Sequence, residues 1–239
     1  MKSAGMAVHK PTAQATTPIM SSMTVVLVGK TGYGKSRTGN SILGREAFEL
    51  STASSAGTKF NCCHSSKAKD GSLINVIDTP GFFDPRLKDE TEEVSARKNM
   101  RQVMDACADD GIDAFILVLS CDSRYSKEDC QTPELLVKTF GNDFFEKHCI
   151  LVMTRWDQVS SDYQSFDNWI DMQNDSLKGL FKRCNDRYIF FDNLSTEGKE
   201  KSRDILFDKV RQLKKEFPKY TKANFYNLDK SYMRQCTLQ

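Results

Sequence analysis

The sequence has little of what metal sites, membrane spans and nucleic-acid surfaces require. Its three histidines are not spaced as ligands and its eight cysteines include no C-x-x-C pair, so no zinc site is predicted. The longest apolar runs, such as residues 114–119, are too short to cross a bilayer, and there is no signal-peptide core. A net charge of only +2 argues against nucleic acid as the main partner. Cysteines within apolar runs suit a reducing, cytoplasmic location.

One stretch organises the rest of the chain. An apolar, β-branched run at residues 24–28 leads into the pattern Gly-x-x-x-x-Gly-Lys-Ser at residues 29–36, and residues 37–43 can continue as a helix. Strand, glycine-rich loop and helix start are the context in which this pattern is a phosphate-binding loop. The nucleotide-binding residues predicted here are Gly29, Lys30, Thr31, Gly32, Tyr33, Gly34, Lys35, Ser36 and Arg37.

The residue types of this loop match the chemistry of a bound triphosphate. Glycines let the backbone curl with its N–H groups pointing at phosphate oxygens, and the following helix adds its positive end. Lys35 would reach the β- and γ-phosphates, and the Ser36 hydroxyl would be a ligand of Mg²⁺. The alternative is a glycine-rich turn without chemical consequence, which both the spacing and the flanking segments disfavour. The sequence therefore predicts a protein that binds a nucleoside phosphate.

Apolar runs alternate with helical patterns along the chain. We predict strands at 60–67, 73–77, 114–119, 149–153 and 188–191, and helices at 89–108, 127–140, 166–181 and 204–217. This alternation predicts an α/β fold with three layers, α/β/α, around a mostly parallel sheet. Composition divides the chain into a disordered leader (1–22), one domain (23–217) and a C-terminal tail (218–239) without a strong core pattern.

Asp78 and Gly81 follow an apolar strand behind the phosphate loop. Ligands on parallel sheets bind at the carboxyl ends of strands. In phosphate-loop enzymes an aspartate at such a place holds Mg²⁺, directly or through water, and the glycine N–H can contact the γ-phosphate. Standing alone, the sequence D-T-P-G at residues 78–81 would indicate only a β-turn. Behind a phosphate loop, the metal-binding interpretation is the stronger one.

The tetrapeptide TRWD at residues 154–157 ends a second apolar strand. The Asp157 carboxylate can accept from both N1–H and the 2-amino group of guanine, whereas adenine leaves it unsatisfied at a cost of about 1–3 kcal/mol. The stem of Arg155 or the ring of Trp156 could cover a face of the base. As a surface turn the tetrapeptide would mean little. We predict guanine-nucleotide binding (GTP or GDP) that involves Thr154, Arg155 and Asp157.

These motifs together resemble a known family. TGNSILG follows the phosphate loop at residues 38–44, and DTPGFFD at 78–84, RYSKED at 124–129 and TRWD complete the pattern. The chain resembles the immunity-associated GTPases (the GIMAP or IAN family), a septin-like branch of the phosphate-loop GTPases, over about residues 25–213. The resemblance implies a Ras-like fold, Mg²⁺ dependence, nucleotide-controlled dimerisation across the nucleotide face, contact with cytoplasmic membranes, and a role in immune or stress-related signalling.

The resemblance also assigns residues that the motifs alone leave open. Thr58 matches the switch threonine that contacts Mg²⁺ in the GTP form, although several hydroxyls in 51–58 have suitable chemistry. Asn193 matches the fifth nucleotide-binding loop, and Arg124 matches an arginine of a nucleotide-facing dimer interface. The resulting predicted metal ligands are Ser36, Thr58 and Asp78, and the predicted catalytic residues are Lys35, Thr58 and Arg124.

Hydrolysis needs an oriented water and positive charge on the transition state. Ras-like enzymes use a glutamine directly after the D-x-x-G glycine, where this chain has Phe82, so we expect slow intrinsic turnover. Arg124 acting across a dimer would be worth roughly 10³–10⁵ in rate, and a solvated loop arginine is the alternative. A GTP-binding scaffold with negligible hydrolysis is the second hypothesis, and a small-molecule kinase is a disfavoured third. Cys236 fits a farnesylation motif, with an unmodified tail as the alternative.

Overall fold

The computed structural model describes residues 22–50, 62–80, 92–106 and 110–237. Its strands are β1 (Ser22–Val28), β2 (Cys62–Lys67), β3 (Leu73–Asp78), β4 (Ala114–Ser120), β5 (Cys149–Thr154) and β6 (Tyr188–Phe191). They form a six-stranded sheet in the order β2-β3-β1-β4-β5-β6, in which β2 pairs antiparallel with β3 and the other pairings are parallel. The predicted α/β fold with a mostly parallel sheet is confirmed.

Helices cover both faces of this sheet. They are α1 (Lys35–Leu43), α2 (Glu92–Ala106), α3 (Lys127–Phe140), α4 (Phe144–His148), α5 (Trp156–Val159), α6 (Phe166–Asp171), α7 (Asp175–Arg183), α8 (Thr196–Glu216) and α9 (Lys222–Thr237). Apolar side chains of α1 and α8 join one core, and those of α2, α3, α4, α7 and α9 join the other. The predicted three-layer arrangement is therefore present.

Strand β1 shows how the sequence builds both cores. Val25 and Leu27 point into the core beneath α1 and α8, whereas Val26 and Val28 point into the opposite core. Successive side chains of a strand face opposite sides of a sheet, so an uninterrupted apolar run fills both. All seven residues of β4 are buried in the same way. The central strands are continuous apolar runs because helices cover both of their faces.

Most predicted elements are found, and two helices differ from their predicted extent. The helix predicted at 127–140 and the strand at 188–191 agree with α3 and β6. The helix predicted at 166–181 is two helices, since the Asn174 side chain accepts a hydrogen bond from the N–H of Leu177 and starts α7 anew. Helix α8 starts eight residues earlier than predicted, because Ser195 caps it through the N–H of Gly198.

The interpretation of residues 218–239 as a tail is wrong for the part that the structure describes. Tyr220 forms a bridge to Ile112, and both Tyr220 and Phe225 are buried in the core. Asp229 of α9 is buried and forms ion pairs with Arg97 and Arg101 of α2. Two aromatic residues and one buried acid are too few to make a periodic pattern, yet they fix this helix to the domain. Of the predicted leader, only Ser22 lies within the described residues, where it begins β1.

Among the helices of the described ranges, none combines the length and the apolar character that a membrane span requires.

Candidate nucleotide-binding site

The predicted phosphate loop joins β1 to α1 across residues 29–34. Gly29 has a φ of 135°, and a Cβ there would lie 2.5 Å from the carbonyl oxygen of Val118 in β4. Gly34 precedes α1 in the left-handed region, with a φ of 95°. Side chains at these two positions would block or strain the turn. The loop therefore curls tightly over β4 and presents the N-terminal amides of α1, whose first turn carries no acidic residue, to a bound anion.

Two of the side chains predicted to hold Mg²⁺ meet beside this loop. The Ser36 hydroxyl of α1 donates a hydrogen bond to Oδ2 of Asp78, at the end of β3, over 2.6 Å. The next residue, Thr79, donates from its hydroxyl to the carbonyl oxygen of Leu27 at 2.7 Å and holds the end of β3 against β1. Hydroxyl and carboxylate oxygens are ligands that Mg²⁺ prefers. The Ser36 hydroxyl oxygen and the Asp78 carboxylate are therefore suitable ligands for this ion.

The described residues contain no group of three or more His, Cys, Asp or Glu side chains placed to hold a metal ion. Magnesium is commonly bound by one or two protein oxygens together with water and substrate phosphates. Ser36 and Asp78 therefore suit an ion that arrives with a nucleotide. Lys35 lies alongside them, is buried, and donates from Nζ to the carbonyl oxygen of Lys30 at 3.1 Å. Its ammonium group thus lies within the curl of the loop.

The end of β5 is attached to the phosphate loop by two side chains. The Thr154 hydroxyl donates to the carbonyl oxygens of Tyr33 and Leu119, at 2.9 and 3.0 Å. Arg155 has a left-handed φ of 58°, and its guanidinium donates to the carbonyl oxygen of Gly32 at 2.9 Å. The predicted base-binding segment and the phosphate loop are therefore parts of one hydrogen-bonded unit.

The guanidinium of Arg155 also forms an ion pair with Asp122, at 2.8 Å. Partial burial opposes ionisation of Asp122, but hydrogen bonds from Ser120 and Arg155 outweigh it and lower the pKa of this carboxyl. For the adjacent Cys121, burial and the charges of Asp122 and Asp157 raise the pKa to about 12. This thiol stays protonated at neutral pH and acts as a core residue, not as a nucleophile.

Asn193 follows β6 and is held by α1. Its amide nitrogen donates to the Thr38 hydroxyl at 3.1 Å, and its amide oxygen accepts from the Ser41 hydroxyl at 2.8 Å. Both hydroxyls belong to the TGNSILG stretch that follows the phosphate loop. This stretch therefore places the loop after β6 beside the first turns of α1.

These loops enclose one open cleft with about 900 Å³ of empty space, including its mouth. Predicted site residues from three loops line it: Thr31, Gly32, Gly34, Lys35, Ser36, Arg37, Thr154, Arg155, Asp157 and Asn193. Asp157 is exposed in the first turn of α5. The structure thus brings residues of the predicted phosphate loop, with the predicted metal ligand Ser36, and residues of the predicted base-binding segment to one cavity, whereas Asp78 is not part of the lining.

Three lining residues were not predicted from the sequence: Leu50, Gln158 and Leu194. Leu50 and Leu194 expose 40% and 59% of their surface. Their exposure is known only from the structure, so no local signal in the sequence identifies them. Trp156 was considered as a cover for the base, but its ring lies among aromatic side chains, 5.1 Å from Phe190, and does not line the cleft. Of the two residues predicted to cover the base, only Arg155 lines the cleft.

Several predicted residues do not contribute side chains to the cleft. Gly29, Lys30 and Tyr33 belong to the loop but are not part of the lining. Arg124 is exposed in the segment between β4 and α3. Thr58 and Gly81 lie outside the described residues, so their predicted roles stay predictions.

Comparison with known proteins gives a family match over almost all of the described chain. The model of the AIG1 family matches residues 23–237. Immune-associated nucleotide-binding protein 8 of Arabidopsis thaliana is 34% identical over 84% of this chain and 57% of its own length. Immune-associated nucleotide-binding protein 12 of the same plant is 37% identical over 72% of this chain and 42% of its own. The chain spans about half the length of these curated relatives.

Solved structures show the same fold at lower identity. Toc33 of Arabidopsis thaliana, in a dimerization-deficient form, aligns with a TM-score of 0.61 and 22% identity over 84% of this chain and 87% of that chain. Toc33 in complex with GDP and Mg²⁺ aligns at 0.58 and 21%, over 81% and 84%. Era of Aquifex aeolicus aligns at 0.55 and 18%, over 84% and 58%. Each of these likenesses concerns the fold.

Proposed function

The chain belongs to the AIG1 family, and on that premise we propose that it is a Mg²⁺-dependent GTPase with slow intrinsic hydrolysis and GTP-controlled dimerisation. The observation that carries the proposal is that Ser36 lines the same cleft as Asp157 and donates a hydrogen bond to Asp78 over 2.6 Å. A phosphate loop, a hydroxyl and a carboxylate of the kind that bind magnesium, and a second carboxylate in the lining are the parts that binding of Mg²⁺·GTP requires. We further propose a cytoplasmic location with peripheral membrane contact and a role in immune or stress-related signalling.

Guanine selectivity is assigned to Asp157. Its carboxylate can accept hydrogen bonds from both guanine donors, and a base without them leaves the carboxylate unsatisfied, at about 1–3 kcal/mol. Arg155 lines the cleft beside it and is fixed by Gly32 and Asp122, so its stem offers a positioned surface for the base.

The hydrolytic part of the proposal rests on charge placed around the terminal phosphates. Lys35 and the N-terminal amides of α1 supply fixed positive charge, and a bound Mg²⁺ would neutralise charge on the β- and γ-phosphate oxygens. The resemblance assigns Thr58 to Mg²⁺ in the GTP form, and the motif at residues 78–81 assigns the Gly81 N–H to the γ-phosphate. Phe82 stands where a water-orienting glutamine would be expected, which is our reason for proposing slow turnover.

Arg124 is proposed to supply the missing charge from a second subunit. It is exposed, and among the described residues it makes no hydrogen bond or ion pair. For the chloroplast translocon components atToc33 and psToc159, dimerization is important for GTPase activity. By analogy, we propose that two copies of this chain face each other across their nucleotide clefts, so that each arginine reaches the partner's phosphates.

The test is nucleotide content followed by turnover. Protein purified without added nucleotide should release GDP or GTP, not adenine nucleotides, when denatured and chromatographed. Phosphate release per subunit at saturating Mg²⁺·GTP should then increase as the protein concentration rises through the dimerisation range. Turnover per subunit that is independent of concentration would contradict activation by dimerisation.

One alternative is favoured by a specific observation. Because Phe82 cannot orient water, the protein could be a GTP-binding scaffold that assembles on nucleotide with negligible hydrolysis. GTP-dependent dimers that release no phosphate at any concentration would support this alternative over the GTPase.

A further inference from the structure

The side chains of Tyr33 and Lys30 leave the nucleotide cleft and contact the start of α3. The Tyr33 hydroxyl donates a hydrogen bond to Oδ2 of Asp129 at 2.8 Å, and Lys30 Nζ donates to the Ser126 hydroxyl at 3.2 Å. Each contact joins residues 96 positions apart in the chain. The phosphate loop is thus attached directly to a second segment of the molecule.

The two acceptors are the residues that start α3. The Ser126 hydroxyl accepts from the N–H of Asp129 at 3.3 Å, and Asp129 Oδ2 accepts from the N–H of Ser126 at 2.8 Å. This is a capping box, which sets where and in which direction a helix begins. Asp129 is 2% exposed, and the same carboxylate oxygen accepts from both Ser126 and Tyr33. A shift of the phosphate loop therefore acts on the first turn of the helix.

Arg124 lies in the short segment between β4 and this capping box. The segment is held at its other end as well, because the N–H of Cys121 donates to the carbonyl oxygen of Thr154 at 3.0 Å and Asp122 forms an ion pair with Arg155. The end of β5, with Thr154 and Arg155, thus holds one end of the segment that carries Arg124, and the phosphate loop holds the other. The arginine side chain itself is exposed between these two anchors.

We propose that Tyr33 and Lys30 are positioning residues, which hold Arg124 of their own subunit in the place from which it acts on the partner's nucleotide. The inference rests on the proposed function, in which Arg124 acts across a dimer. A loop that wraps phosphate is ordered by its ligand, so an occupied loop presents a positioned arginine to the partner. Each subunit's own nucleotide thereby tunes the hydrolysis of the other.

The variant Tyr33→Phe tests this with little change of shape. It keeps the ring and the backbone of the loop, and Asp129 keeps its hydrogen bond from the N–H of Ser126. A misplacement of about 1 Å can cost on the order of 100-fold in rate. We expect the rise in turnover with protein concentration, measured at saturating Mg²⁺·GTP, to fall at least about tenfold. Tyr226→Phe is the matched control, because it also removes a tyrosine–aspartate hydrogen bond, to Asp105, remote from the loop.

Mixed dimers separate positioning of the arginine from an effect on the phosphate loop itself. Tyr33→Phe is mixed in equal amounts with Arg124→Lys, which keeps the positive charge but loses the guanidinium fork. In the mixed dimer, the only site with an unaltered loop receives Arg124 from the Tyr33→Phe subunit. If Tyr33 positions that arginine, turnover stays low. If Tyr33 serves only its own site, turnover recovers to about a quarter of wild type, since half of the dimers are mixed and half of their sites are competent.

Light scattering with a non-hydrolysable GTP analogue checks association of each variant. The inference expects Tyr33→Phe to dimerise as wild type does, and loss of dimerisation would overturn a positioning role. Stimulation that is lost in Arg124→Lys but intact in Tyr33→Phe would overturn the inference and leave the proposed function standing. Stimulation that survives in Arg124→Lys and in Arg124→Ala would overturn the trans-acting arginine, and the inference with it.

Discussion

Asn40, in the middle of α1, attaches the segment that follows the helix back onto it. Its side-chain amide donates to the carbonyl oxygen of Phe48 at 2.9 Å and to Glu46 at 2.7 Å. Its side-chain oxygen accepts from the N–H groups of Ala47 and Phe48, at 2.9 and 2.7 Å. The residue is 4% exposed. One side chain thus satisfies three backbone groups at the start of the segment that leads toward Thr58.

The variant Asn40→Ala should lower the free energy of unfolding by about 3–4 kcal/mol. It leaves the buried N–H and C=O of Phe48 without these partners, and each unsatisfied buried group costs about 1–3 kcal/mol. Ala47 and Glu46 are less buried and can turn to water, so they add little. Relaxation is restricted, because the Phe48 ring is so close to Gly39 that a Cβ there would lie 2.6 Å from it.

The measurement is urea unfolding followed by the fluorescence of Trp156 and Trp169. With an m-value of about 2–3 kcal/mol/M, the expected loss moves the midpoint down by about 1–2 M. Asn40→Asp keeps the acceptor but turns a buried carboxylate oxygen toward the Glu46 carboxylate and the carbonyl oxygen of Phe48, so it should lose at least as much stability as Asn40→Ala. Asn168→Ala in α6 is the control, since the structure describes no hydrogen bond from that side chain, and it should stay within about 0.5 kcal/mol of wild type. A loss below about 1 kcal/mol for Asn40→Ala would refute the reasoning.

Three further predictions concern the cleft and the core. Asp157→Asn should shift preference from guanine toward xanthine nucleotides, because an amide can donate to the 2-oxo group; competition binding measures this, and equal wild-type affinity for ATP and GTP would contradict it. Lys35→Ala and Ser36→Asn should each weaken GTP binding through the phosphate contact and the Mg²⁺ ligand, while circular dichroism stays native-like. Unchanged GTP affinity in both variants would show that the phosphate loop does not bind the nucleotide. Burial lowers the pKa of His148 from 6.5 to about 4. As the pH falls, the unfolded chain therefore takes up a proton on this residue before the folded chain does. This residue should not lower the free energy of unfolding above pH 6.5, and it should lower it by up to about 3 kcal/mol toward pH 4. His148→Phe should flatten that decline in chemical denaturation curves measured at each pH.

The sequence alone identifies the elements whose signals are local. The phosphate loop is recognisable because only glycine suits Gly29 and Gly34, and because the lysine and serine stand at fixed offsets. Helix α3 is bounded as predicted, since it ends at Gly141, whose N–H donates to the carbonyl oxygen of Val137. The apolar runs of β4 and β5 are long enough to mark buried parallel strands.

Periodic patterns fail where a few specific contacts outweigh them. The break between α6 and α7 depends on one capping asparagine inside a continuous helical pattern. Helix α9 lacks a periodic apolar pattern, because Phe225, the Tyr226–Asp105 hydrogen bond and the ion pairs of Asp229 with α2 attach it to the domain. Trp156 was predicted as one possible cover for the base, but the aromatic side chains around it are Tyr163 and residues of α6 and β6.

By itself, then, the sequence determined the family, the α/β architecture and the chemistry of the nucleotide loops. Each of these follows from particular residue types at short, fixed spacings. Only the tertiary structure decided where the side chains of those loops go. Tyr33 stands in the phosphate loop by sequence, yet its hydroxyl bonds to Asp129, and Asn193 reaches the cleft through hydroxyls of α1. The physical reason is that a parallel sheet brings the carboxyl ends of distant strands to one edge. Hydrogen bonds at that edge join segments that are far apart in the chain, and such pairs leave no periodic pattern in the sequence.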